Sequence, residues 1–232
     1  MATEQVPTVD QVIERMRQLQ ASLPLGDGVA VFNGMYLTVT ELVQQRLAAT
    51  YFDDPAATAR LDGVFAGRWL AAVDAAAQGR RPAACWRPLF ELRGHRGIHP
   101  LQFALAGMNA HIENDLPLSV VDLCLALGRE PRDVEADYLR INTLLAQVED
   151  RVRDELLPGP EAMDLADPLL HVIGVWSIDR ARDAAWASAL ALWELRDVPF
   201  VGPAFRASLD GSVGMVGRAL LTPLNGRSRV TA

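Results

Sequence analysis

Apolar residues recur at helical spacing along almost the whole chain, and this periodicity constrains the fold more than any other feature of the sequence. No segment keeps the apolar and polar alternation of a half-buried strand beyond a few residues. Half of the residues are hydrophobic but only 6% are aromatic, so we expect a core built mostly from Ala, Leu and Val. The pattern predicts an all-α protein, a helical bundle of about seven to eight helices.

Capping residues, prolines and glycines set the predicted helix boundaries. Thr8 suits an N-cap, Pro100 suits the first position of a helix, and Gly128 suits a C-terminal stop. Residues 79–100 form one long loop rich in Pro and Gly, and loops of this length in compact domains are often functional. The predicted helices cover about residues 8–23, 29–50, 56–78, 100–116, 118–127, 133–156, 164–196 and 203–221.

The chain has one tempting domain boundary. It is the run Pro158-Gly159-Pro160, but neither half of the sequence alone offers an obvious complete core. We therefore expect a single helical domain over residues 1–221. Residues 222–232, rich in Gly, Ser, Arg and Asn, are expected to form a flexible C-terminal tail.

Charge and cysteine content exclude several classes of partner. The formal net charge of −7 disfavours nucleic acid and acidic membranes, because phosphate binding requires clustered Lys and Arg. No apolar run approaches the roughly 18 residues of a membrane span, and the N-terminal residues do not resemble a signal peptide. Cys85 and Cys124 lack the spacing of a disulfide framework or a structural zinc site. These features predict a cytoplasmic protein without nucleic-acid or membrane partners.

The segment from His99 to Pro117 carries the residues most suited to chemistry, because it sets ionisable side chains into an otherwise apolar helix. His111 and Asp115 lie four residues apart and share one helix face. Gly107 lies one turn earlier, where a ligand or a neighbouring helix can approach closely. A carboxylate one turn away is expected to raise the pKa of His111 and orient its ring, as in a general base near neutral pH.

Several segments of the chain resemble the uncharacterised bacterial domain-of-unknown-function family DUF5995, over about residues 8–200. The most specific segment is Gly-Met-Asn-Ala-His-Ile at 107–112, followed by Asp115-Leu116. Members of the family usually have Asn at the position of Glu113 and often His at that of Asn114. The resemblance implies no established activity. The other matching segments are 35–40, 52–55, 61–66, Trp86 with 89–91, 100–116, and Asp137-Tyr138 with Asn142.

The first functional hypothesis is an enzyme that acts on a small organic molecule in a pocket between helices. His111 is the predicted general base or acid and Asp115 the carboxylate that orients it. Isomerisation, cyclisation, elimination and hydrolysis all fit this pair. An Arg on a Trp-bearing helix face can bind a carboxylate or stack on a flat ligand. The predicted substrate-binding residues are Arg180, Trp176, Trp86, Glu113 and Asn109.

Two alternatives use the same residues. A non-catalytic helical module, for ligand binding or protein interaction, would use His111 and Asp115 in a satisfied interhelical network. A divalent-metal enzyme would bind its ion through His111 and Asp115, although the helical di-iron and His-Glu-x-x-His motifs are absent. Its further carboxylates would come from Asp53, Asp54, Asp62 or Glu113. No glycine-rich phosphate loop is present, and we expect no cofactor under the first hypothesis.

Overall fold

The computed structural model describes residues 6–49, 51–141, 144–145 and 177–223. All regular secondary structure within these ranges is helical, which confirms the predicted all-α bundle. No helix in the described part of the chain is long and apolar enough to cross a membrane. The division into a domain at 1–221 and a tail at 222–232 stays a prediction, because residues 224–232 lie outside the described ranges.

The helices follow the chain in a simple order. A π-helical turn, Ala110–Asp115, joins α5 to α6, and a 3₁₀ turn, Pro131–Asp133, precedes further helical residues at 135–141. The α-helices are α1 (Val9–Ser22), α2 (Gly28–Ala48), α3 (Pro55–Ala77), α4 (Arg87–Leu92), α5 (Pro100–Asn109), α6 (Leu116–Leu127), α7 (Ile178–Leu195) and α8 (Val201–Leu220).

Local capping accounts for several helix ends, and Thr8 and Gly128 act there as predicted. Thr8 and Gln11 form a reciprocal capping box at α1, and Asp27 and Asp54 accept backbone N–H groups at the starts of α2 and α3. Gly128 ends α6 in the left-handed conformation, at φ 62°. The first three helices therefore lie within two residues of their predicted bounds.

Two predicted segments differ from the structure or fall partly outside it. The predicted loop at 79–100 contains α4, a helix of six residues that is too short to show helical periodicity in the sequence. The predicted helices at 133–156 and 164–196 are described only at residues 133–141, 144–145 and 177–196, of which 135–141, 144–145 and 178–195 are helical. The run Pro158-Gly159-Pro160 lies outside the described residues.

Aromatic side chains occupy the centre of the bundle. Helix α2 packs on α1 and α5, α3 packs on α6, and α8 packs on α5. Where these helices meet, Phe32, Trp69 and Trp86 are buried with ring centroids 4.7–5.3 Å apart. These three aromatic residues thus lie together, and the buried residues around them include many of the expected Ala, Leu and Val side chains.

Helices α2 and α5 approach closely because α5 has a glycine at the contact. A Cβ atom added at Gly107 would lie 2.2 Å from the Phe32 ring, far inside van der Waals contact. The neighbouring helix therefore takes the space that the sequence predicted at Gly107. This contact places the following turn, with His111, against α2.

We expect Gly107→Ala to lower the free energy of unfolding by about 1–3 kcal/mol, since the Phe32 ring must move to accept the methyl group. Gly67→Ala is the matched control, because an added Cβ there meets nothing within 4 Å. The control should be neutral or stabilise α3 by up to about 1 kcal/mol, through helix propensity. Urea unfolding of both variants tests this, and equal effects would contradict the close packing at Gly107.

Candidate functional site

The helix that carries His111 and Asp115 is locally widened. Residues Ala110–Asp115 form a π-helix, in which the Leu116 N–H donates to the carbonyl of His111, five residues back. In a regular helix, the Pro117 ring would crowd the carbonyl of Glu113. The sequence predicted separate helices at 100–116 and 118–127, whereas the chain continues through this wider turn into α6. Such π turns occur frequently at functional sites.

The Asp115 carboxylate is held by three hydrogen-bond donors. Its Oδ2 accepts from the Trp86 indole Nε1 at 2.9 Å and lies 3.4 Å from His111 Nδ1. Its Oδ1 accepts from Asn114 Nδ2 at 3.0 Å. A carboxylate has about four acceptor positions, so roughly one remains, on Oδ1. The Ser119 hydroxyl also donates to the Asp115 backbone carbonyl at 2.7 Å, which anchors the turn to α6.

His111 and Asp115 face each other, as their spacing predicted, and both are buried. Their side chains are only 4% and 5% exposed. The Phe65 ring stacks on the imidazole, with centroids 3.5 Å apart and planes inclined by 7°. Tyr36 contacts the imidazole edge-on at 4.3 Å. The ring of His111 is therefore fixed by aromatic contacts as well as by Asp115.

Burial, and not the neighbouring carboxylate, sets the protonation of His111. The sequence predicted a raised pKa; that expectation is wrong, because loss of hydration lowers the pKa of His111 below 6.5 despite the opposing effect of Asp115. The imidazole is thus neutral near pH 7. With Nδ1–H donating to Asp115, Nε2 is an acceptor, and it has no hydrogen-bond partner among the described residues.

Two more buried polar atoms near this ring lack hydrogen-bond partners among the described residues. They are the Tyr36 hydroxyl and Oδ2 of Asp62 on α3. Burial raises the pKa of Asp62 to about 7. Burial and the nearby Asp62 carboxylate together raise the pKa of Tyr36. Buried polar groups are nearly always paired, so three unpaired atoms around one aromatic cluster are unusual in a protein interior.

An open cleft of about 620 Å³ lies beside the pair, on the side of Asp115. Asn114, Asp115 and Trp86 are buried residues at its floor. His111 is not among the residues that line it. The walls come from α3, α6, α8 and the segment before α4, and consist of Arg68, Ala71, Ala72, Ala75, Arg81, Pro82, Ala83, Leu118, Pro203, Arg206, Ala207 and Asp210.

Trp86 is the predicted substrate-binding residue that the structure brings directly to the pair. Although it lies in the segment predicted as a loop, its ring is fully buried and its indole N–H donates to Asp115. Asn109 is also buried. Its Nδ2 donates to the Val213 carbonyl at 3.0 Å, which ties α5 to α8, and its Oδ1 is unpaired within the described residues.

Of the remaining predicted site residues, Glu113 and Arg180 do not line the cleft. Glu113 is partly buried in the π turn, where burial raises its pKa. Arg180 is exposed on α7. Trp176 lies outside the described residues. The structure therefore brings together His111, Asp115 and Trp86 from the predicted set.

Two of the carboxylates considered for metal binding pair with arginines. Asp53 and Asp54 lie at the start of α3, where they pair with Arg140 and Arg129 at 2.6 Å. Across the described residues, no three His, Cys, Asp or Glu side chains are placed to share a metal ion. Cys85, next to Trp86, is buried, and this burial raises the pKa of its thiol.

Sequence reasoning missed Tyr36 and Phe65, which contact His111. It named Asp62 only as one of several possible metal-binding carboxylates, although the sequence carried a further signal there. Asp62 shares a face of α3 with Phe65 and Trp69, three and seven residues on, so it is an ionisable group on an apolar helix face. That is the same signal that identified His111. By contrast, the cleft arginines come from separate elements, and nothing in their local sequence links them.

These features define an all-α bundle with a buried His–Asp pair in a π-helical turn beside an open cleft. The chain belongs to the family of unknown function DUF5995, whose family model matches residues 9–223. This match confirms the resemblance seen in the sequence. Neither the curated proteins nor the solved structures include a match to the chain.

Asp62→Asn should raise the free energy of unfolding at pH 8 by about 1–3 kcal/mol, because the amide has no charge to desolvate. The raised pKa means that the native carboxyl favours its protonated form. The protonated Asp62 carboxyl contributes fully to the free energy of unfolding below its ordinary pKa near 3.8. This contribution is lost as the pH rises through the raised pKa of about 7. The gain in the variant should therefore vanish near pH 4.

Urea unfolding at several pH values measures this difference. Asp197→Asn is the control, since the Asp197 side chain is 83% exposed and makes only a surface ion pair with Arg196. A gain of the same size at pH 4 and pH 8 would contradict a buried, destabilised carboxylate at Asp62.

The lowered pKa of His111 has a separate consequence. The unfolded state binds a proton near pH 6.5 and the folded state only at lower pH, so stability from this group is lost as the pH falls below 6.5. Nitrogen-15 NMR of labelled histidine should show neutral His111 with its proton on Nδ1 at pH 7. Exposed His95 gives an internal reference spectrum. A neutral ring with its proton on Nε2 would contradict the assigned hydrogen bond, and an imidazolium at pH 7 would contradict the lowered pKa of His111.

Proposed function

We propose that this protein is an enzyme that uses acid–base chemistry on a small organic molecule bound in the cleft beside Asp115. The observation that carries this proposal is that Asp115 belongs both to the buried polar cluster and to the lining of the cleft. A concave site with mostly small apolar walls and a few fixed polar groups is typical of small-molecule binding.

Asp115 is the proton acceptor in this proposal. Trp86 and His111 fix its Oδ2, and Asn114 binds its Oδ1, which keeps about one acceptor position. A substrate O–H, N–H or acidic C–H placed against Oδ1 can transfer its proton to the carboxylate. Isomerisation, cyclisation, elimination and hydrolysis each include such a transfer, so they remain the candidate reactions.

His111 acts as a positioning residue for Asp115. The sequence suggested His111 as the base and Asp115 as its orienting partner. Because the cleft lies on the side of Asp115, we assign proton transfer to the carboxylate and the positioning of that carboxylate to the imidazole. Stacking on Phe65 fixes the imidazole ring of His111. The Nδ1–H of this ring then orients Oδ2 of Asp115 through their hydrogen bond.

A non-catalytic module is the second candidate, and the burial of His111 favours it. The imidazole is sealed by Phe65 and Tyr36, and the Asp115 carboxylate already has three donors. In that case the polar network would serve only to lock α4, the π turn and α8 together.

We also place the protein in the cytoplasm as part of this proposal. Both cysteines, Cys85 and Cys124, are buried and unpaired. Unpaired thiols fit a reducing compartment, in which disulfides are rare.

The test begins with a search for the substrate. Purified protein is incubated with extracted metabolites, and depletion is followed by mass spectrometry. Asp115→Asn should lower kcat on the depleted metabolite by at least about 100-fold. His111→Gln should lower kcat less, and Asp74→Asn, at an exposed ion pair on α3, should leave it unchanged.

Stability measurements on the same variants separate the two candidates. For an enzyme, Asp115→Asn must lose turnover at a temperature where circular dichroism shows it fully folded. Depletion of no metabolite, or activity losses that only follow unfolding, would favour the non-catalytic module.

A further inference from the structure

Three arginines line the cleft, although the chain as a whole carries a net charge of −7. Arg68 comes from α3, Arg81 from the segment between α3 and α4, and Arg206 from α8. Guanidinium groups match the geometry of carboxylates and phosphates, which they bind through paired N–H donors. Their convergence on one cleft therefore points to an anionic ligand.

The three arginines differ in the partners they already have. Arg68 donates to the Ser119 hydroxyl at 3.1 Å and pairs with Asp122. Arg81 and Arg206 are exposed, and neither has a hydrogen-bond or ion-pair partner within the described ranges. These two side chains are thus available to an anion that enters the cleft.

The carboxylates of the cleft are engaged elsewhere. Both oxygens of Asp210 accept backbone N–H groups, from Ala84 and Cys85, at 2.9 Å. Asp115 accepts its three donors at the floor. The acidic groups therefore hold the segment before α4 and the π turn in place, while the cations stand exposed at the mouth.

One buried acceptor at the floor of the cleft lacks a donor among the described residues. Asn114 is 3% exposed and lines the cleft, and its Oδ1 has no hydrogen-bond partner among the described residues. The bond from its Nδ2 to Asp115 fixes which end of the amide is the oxygen. Asn114 Oδ1 and the remaining position on Asp115 Oδ1 are both acceptors, so a hydroxyl or amine suits them.

We propose that the cleft binds a small organic anion with a carboxylate or phosphate at one end and a hydroxyl or amine at the other. The anionic group contacts Arg81 and Arg206, and the donor contacts Asn114 and Asp115. The alanine-rich walls accept a short apolar chain between them. This inference rests on the proposed function in one respect, since the donor end at Asp115 is the end that reacts.

Matched probes of one length test the two ends of this ligand separately. The carboxylate series is 4-hydroxybutyrate, butyrate and 4-hydroxybutyramide, and the phosphate probes are glycerol 1-phosphate and inorganic phosphate. Binding is followed by NMR shift changes of the Trp86 indole and by calorimetry. We expect 4-hydroxybutyrate to bind more tightly than butyrate, and the uncharged amide to bind at least about 10-fold more weakly. Tighter binding of glycerol 1-phosphate would assign the anion as a phosphate.

Arginine variants locate the anion site. Arg81→Gln and Arg206→Gln should each weaken the binding of the hydroxylated anions by at least about 10-fold. Arg60→Gln is the matched control, because Arg60 is exposed on α3 and does not line the cleft. The inference is overturned if no anion binds at millimolar concentration. It is also overturned if the Arg81 and Arg206 variants bind the anions as tightly as the wild type does.

Asp115→Asn distinguishes this inference from the proposed function. The variant should keep or strengthen anion binding, because it loses a negative charge at the floor. Anion binding that needs Arg81 and Arg206, with turnover that does not need Asp115, would support the anion site and contradict the proposed enzyme. If the protein instead turns over an uncharged substrate, and this turnover requires Asp115 but neither Arg81 nor Arg206, the proposed enzyme is supported and the anion site is contradicted.

Discussion

The hydrogen bond from the Trp86 indole to the Asp115 carboxylate joins the two parts of this molecule on which the site depends. It links the segment before α4 to the π-helical turn, across 29 positions of sequence. Burial of a carboxylate is expensive unless donors replace its water, and here Trp86, His111 and Asn114 supply them. Asp210 binds the backbone of the same segment, so α8 is fixed to this junction as well.

Around this junction the protein keeps polar atoms that a purely structural core would pair or replace. His111 Nε2, the Tyr36 hydroxyl and Asp62 Oδ2 lie among aromatic rings without hydrogen-bond partners in the described part of the chain. Such groups reduce stability, and proteins commonly retain costly features where function requires them. The π turn belongs with these features, because it departs from the α-helix at the residues that carry the ionisable groups.

The parts of the structure that the sequence predicts are those set by local interactions. Thr8, Pro100 and Gly128 act on their own helix ends, and the spacing of His111 and Asp115 places them face to face. The cleft depends on residues from α3, α8 and the segment before α4, whose meeting is decided only by tertiary packing. The pKa of His111 shows the same limit: the carboxylate four residues away is visible in the sequence, but the burial that outweighs it is not.

The indole N–H of Trp86 gives the most direct measurement of the central claim, that Asp115 connects the buried cluster to the cleft. In a proton–nitrogen NMR spectrum, a bond to a carboxylate should move this resonance downfield. We predict that the resonance moves upfield in folded Asp115→Asn and also shifts when 4-hydroxybutyrate enters the cleft. A Trp86 resonance that is the same in the wild type, in folded Asp115→Asn and in the presence of 4-hydroxybutyrate would contradict it.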